Sequence, residues 1–125
     1  LGRARSEAGI GVMQEINITV LTPWFLGIFL GTGILCLVGV VHPFYNWGPN
    51  ASLLRFAGSG VYLVGSILVT IVFNIPRNDR LAALPPGEPD REDIWTDYLS
   101  TWTMWNHIRT AASLVSAALF ALALR

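Results

Sequence analysis

The chain divides by where its charges are absent. Residues 16–54 carry none, nor do 56–76 or 110–124. A helix needs roughly 20 apolar residues to cross a bilayer core. Three spans are therefore predicted, at about 24–41, 53–75 and 105–124. Thr22 is a candidate N-cap for the first, and Pro23 suits its first helical position, where no N–H is required. His42-Pro43 is expected to end that span and Pro76 the second. Residues 8–21 predict a short helix leading into Pro23. Pro85-Pro86-Gly87-Glu88-Pro89 reads as a turn, and Asp90 as the start of a helix with Glu92 and Asp93 in its first turn. From there one helix can run unbroken into the third span, with its first part, about 91–104, standing outside the lipid. Trp24, Trp47, Trp102 and Trp105 lie near span ends, where amphipathic rings favour the interface.

The expected fold is thus all-α, a single transmembrane helical domain over 1–125 with three spans. Three spans make an incomplete bundle, and the chain opens on Leu1, so a fourth helix upstream is expected to complete a four-helix bundle. Composition agrees with the membrane reading: apolar residues make up 53% and charged ones only 13%, with a mean hydropathy of +0.53. Eight Arg balance eight acids. The lack of a basic surplus argues against nucleic-acid binding, and Cys36 alone makes no disulfide framework.

The balance hides segregation. Three spans put the N-terminal segment and the loop 77–97 on one membrane face, with Arg3, Arg5, Arg77, Arg80, Arg91 and Arg109 and all eight acids. The other face holds Arg55 and Arg125. The positive-inside rule makes the Arg-rich face cytoplasmic and the chain a multi-pass plasma-membrane protein.

Polar residues mark the same face. Ser59, Tyr62, Ser66, Thr70 and Asn74 form a stripe along one face of the second span. Asn74 and Asn78 end that span, Gln14 and Asn17 precede the first, and Asn106, His107 and Arg109 open the third. An Arg and a His at the edge of a span point to a site. Seven such groups at one end of a small bundle suggest one pocket. Gly27 and Gly31, and separately Ser113, Ala117 and Ala121, read as helix-packing surfaces.

In order, Met13-Gln14-x-Ile16-Asn17, Pro23-x-Phe25, Gly31-Thr32, Phe73-Asn74-x-Pro76-x-Asn78-x-x-Leu81-Ala82, and Trp95…Trp102-x-x-Trp105-Asn106-His107-x-Arg109-Thr110 resemble the small anthrone-oxygenase-like integral membrane proteins. Thr22 departs from the Asn usual there. The resemblance implies a four-helix fold and a cofactor-independent oxidation of a flat phenolic or ketone substrate by O₂. An anthrone has an acidic benzylic C–H, and its anion can pass an electron to O₂ directly. The implied roles are His107 as base and Arg109 as stabiliser of the anion. Gln14, Asn17, Asn74, Asn78 and Asn106 would bind oxygens, and Trp102 and Trp105 would flank the ring. No metal or other cofactor is expected; His42 lies toward the opposite face and no two-His metal spacing occurs. The alternative is a non-catalytic accessory subunit packed among other transmembrane subunits, its polar cluster serving as a latch.

Overall fold

The computed structural model describes residues 2–46, 48 and 51–125; Trp47 and the side chain of Arg3 lie outside the described set. It consists of four helices, with no strand among the described residues. Helix α1 is Gly2–Val20 and α2 is Pro23–Tyr45. Helix α3 is compound: Ala51–Tyr62 is α-helical, Leu63–Leu68 and Thr70–Asn74 have π-type hydrogen bonding, and Ile75–Ala82 is α-helical again. Helix α4 is Arg91–Ala123.

Pro23 opens α2 as expected, but Thr22 is extended and makes no side-chain cap bond. Pro43 does not stop α2, which continues through it to Tyr45. A proline that close to a C-terminus forfeits little of the remaining helical bonding. Nor does Pro76 end α3. The wider i→i+5 pattern before it re-registers the backbone, and side chains bond the carbonyls there: Thr70 Oγ1 donates to Ser66 O at 2.6 Å and Arg77 Nη1 to Phe73 O at 2.8 Å. The Pro-Gly turn forms, with Gly87 at φ 86, and Arg91 Nη1 fastens it by donating to Pro85 O at 2.6 Å.

Among the described residues, two helices are long and apolar enough to cross a membrane, Pro23–Tyr45 and Ser52–Ala82. The expected third span does not reach that standard. Its entry carries Asn106, His107 and Arg109, which interrupt the apolar run.

Helix α3 packs on both α2 and α4. Its contacts with α4 are close because small residues meet there. A Cβ on Gly58 would come 3.3 Å from both Ser116 O and Leu119 Cβ, and one on Gly65 would run into Ala112 Cβ. Ser116 Oγ donates to Gly58 O at 2.7 Å. The contact line therefore follows Ala112 and Ser116, one position from the expected stripe; Ala117 and Ala121 are exposed. On α2, Gly39 abuts Ser59 and Gly33 faces Ile67, whereas Gly27 and Gly31 face open space.

The tightest packing lies at the Arg-rich end. Ile10, Leu81 and Tyr98 are buried together, with Met13, Leu84, Trp95 and Trp102 against them. Helix α1 is held there because Gly9 lets it lie directly on Trp95.

Candidate functional site

The register of α3 on α4 decides which polar residues meet. Gly65 abuts Ala112, Phe73 stacks on Trp105, and the Tyr98 hydroxyl donates to Asn78 Oδ1 at 2.8 Å. These contacts run antiparallel and place Asn74 at the level of Trp102. Helix α1 runs parallel to α4, with Gly9 on Trp95 and Met13 in the next turn against the same core as Tyr98. Asn17 lies one turn further along α1.

Two of the expected oxygen-binding residues are engaged in holding the fold. Gln14 Nε2 donates to Leu81 O at 3.0 Å, tying α1 to α3, and Asn78 ties α3 to α4 through Tyr98. The next level is different. Asn74 is 2% exposed, and both its Nδ2 and its Oδ1 are buried without a partner. Asn17 Nδ2 and Trp102 Nε1 are buried without partners as well. Leaving a buried donor or acceptor unmet costs about 1–3 kcal/mol. These are three donors and one acceptor, carried by three helices, of the kind that carbonyl and hydroxyl oxygens satisfy.

Aromatic rings stack along the same stretch of α3 and α4. Phe73 and Trp105 stack at 3.6 Å between centroids and 6° between planes, and the Arg77 guanidinium lies 5.9 Å over the Phe73 ring. Trp95, Tyr98 and Trp102 form a stacked series with centroid separations of 5.7 and 6.1 Å. Tyr98 and Trp95 were not singled out as ring partners from the sequence. Their signal was present: Trp95, Tyr98, Trp102 and Trp105 recur every three or four residues, which is one helix face.

The remaining candidates separate. Asn106 and Arg109 are half-buried, while His107 is exposed on the outer flank of α4. Arg109 lines a shallow cleft with Thr110, Ser113 and Leu114, and lies close enough to Tyr62 for their charges to interact. The polar stripe of α3 thus turns inward: Ser59, Ser66 and Asn74 are all buried.

Residues 22–119 match the profile of a known family, described as anthrone oxygenase. The chain belongs to the anthrone oxygenase family. The match spans α2, α3 and most of α4, and so contains Asn74, Trp102, Trp105, His107 and Arg109. Gln14 and Asn17, on α1, precede it. No curated protein and no solved structure matches the chain.

Burial pushes the Tyr98 phenol up to about 12. Below pH ~10 it is neutral in both folded and unfolded chains. Between about 10 and about 12 the unfolded chain loses that proton and the folded one keeps it, so stability falls as pH rises through this window. Tyr98→Phe is expected to remove that alkaline loss while lowering stability at neutral pH by about 1 kcal/mol, through loss of the bond to Asn78. Melting of the purified protein from pH 9 to 12 checks both.

Proposed function

We propose that this member of the anthrone oxygenase family is a cofactor-independent oxygenase of a flat phenolic or ketone substrate. The supporting observation is that polar groups of Asn17, Asn74 and Trp102 are buried without partners, on helices that also carry stacked rings. In this reading the substrate ketone accepts from those donors, and Asn74 Oδ1 accepts from a substrate hydroxyl. Trp105 flanks the ring system, and Asn106 borders it.

In an anthrone the ketone and the methylene lie at opposite ends of the central ring. A molecule held by its ketone inside the helices turns its methylene outward, toward His107. The imidazole takes a methylene proton as general base. The resulting anion passes one electron to O₂, and the two radicals combine as a peroxide. The imidazolium returns its proton to that peroxide. Loss of the second C–H proton with hydroxide then gives the quinone carbonyl and water. One oxygen atom enters the product, and the other leaves with the two methylene hydrogens. Arg109, facing Tyr62, stabilises the negative charge during the transfer. Gln14 and Asn78 keep α1, α3 and α4 in register around the level.

The proposed setting is the bilayer of the plasma membrane. Helix α4 supplies the third span from about 105 to 124, with 91–104 outside the lipid and the loop 77–97 cytoplasmic. A second reading, packing among other transmembrane subunits, is favoured by one observation: Gly27 and Gly31 present an open small-residue face on α2.

Anthrone-dependent O₂ uptake by the purified full chain tests the main reading. His107→Ala is expected to lower the rate about 10²–10⁴-fold, the usual contribution of a positioned base. An unchanged rate would remove His107 from the chemistry.

A further inference from the structure

Beyond the oxygenase level, a groove of about 420 Å³ opens between the end of α3 and the beginning of α4. One wall carries Arg77 and Arg80, both from α3. The other carries Asp93 and Asp97, both from α4. Leu81 and Tyr98 contribute buried side chains to its lining. Opposite charges that line one groove can close into ion pairs. Here no ion pair spans the groove among the described residues, and Arg77 is engaged within α3, bonding Phe73 O. The Asn78–Tyr98 bond and the Leu81–Tyr98 contact fix the two helices between the walls. The groove is therefore held open as a fixed dipole, cationic along α3 and anionic along α4.

A ligand that satisfies both walls carries a negative and a positive group a short distance apart. The groove lies just past Pro76, where the apolar part of α3 ends, and before Trp102 and Trp105, where α4 enters the apolar region. That is the depth of lipid headgroups. We propose that the groove binds a zwitterionic phospholipid with a primary ammonium, its phosphate against Arg77 and Arg80 and its ammonium against Asp93 and Asp97. A primary ammonium donates hydrogen bonds to carboxylates; a quaternary one cannot. The ethanolamine headgroup is thus preferred over choline, and the acidic wall disfavours an anionic glycerol headgroup. The assignment rests on the membrane placement proposed above and is independent of the oxygenase chemistry.

Native mass spectrometry of the full chain in detergent, titrated with dioleoyl phosphatidylethanolamine, phosphatidylcholine and phosphatidylglycerol, tests it. Retention of the chain in alkaline-washed membranes reports the placement separately. The ethanolamine lipid is expected to be retained best. Asp93→Asn with Asp97→Asn should erase its advantage over choline. Arg80→Gln should weaken both zwitterionic lipids about fivefold, as for one partly exposed ion pair. Asp93, Asp97 and Arg80 are exposed, so these variants leave the packing intact. Equal retention of all three lipids, or a double Asp variant that still prefers ethanolamine, would overturn the assignment. Soluble phosphoethanolamine competing as strongly as the lipid would overturn the lipid as occupant.

Discussion

Asn74→Leu is expected to abolish most anthrone-dependent O₂ uptake while leaving the protein as stable as before, or more so. The two consequences come from one fact. Both polar atoms of this carboxamide are buried and unpartnered in the free protein. Leucine has similar size and no polar atoms, so it relieves unmet groups without opening a cavity. A carboxamide kept only for packing would show no such split. If Asn74 binds the substrate ketone or hydroxyl, its removal should lower turnover about 10²–10³-fold, the loss typical of a donor aimed at developing charge. O₂ uptake and thermal melting of the same preparation read the two effects together. Lost activity with a lowered melting point would instead point to a structural role.

The largest stability effect is expected at Gly65. A side chain there collides with Ala112 on α4, with no flexible atom to move aside. Gly65→Leu should separate α3 from α4 along their shared contact, costing on the order of 3 kcal/mol or more. It would also shift Phe73 off Trp105, since that stack depends on the same register. Gly27→Leu is the control, because Gly27 faces open space. Size-exclusion profiles after heating in detergent should show early loss of the folded peak for Gly65→Leu and little change for Gly27→Leu.

These expectations also show what the sequence could carry. The charge-free stretches located α2 and α3, and the uninterrupted run after Asp90 located α4. The ends were misplaced at Pro43 and Pro76 because proline's cost depends on hydrogen bonding around it. In α3 that bonding is π-type, which composition does not reveal. The polar stripe ending at Asn74 was readable from spacing alone. Which of its members stay unpartnered was not, since that depends on the register between helices. Close contacts at Gly39, Gly58 and Gly65 fix the register, whereas the conspicuous Gly27 and Gly31 take no part. The middle of α4 shows the same limit. Trp102, Asn106 and Arg109 occupy one face of α4 and His107 the adjacent one. Only packing against α3 and α1 decides that the first faces inward and the second outward.

In the proposed reaction the chain oxidises its substrate at the methylene opposite the held ketone. Turnover of an anthrone under ¹⁸O₂ by the purified full chain tests that claim most directly. The expected result is protein-dependent formation of the quinone, with one labelled oxygen in its new carbonyl and the other in water. Quinone forming no faster than without protein would contradict the account, as would a new carbonyl oxygen that comes from water.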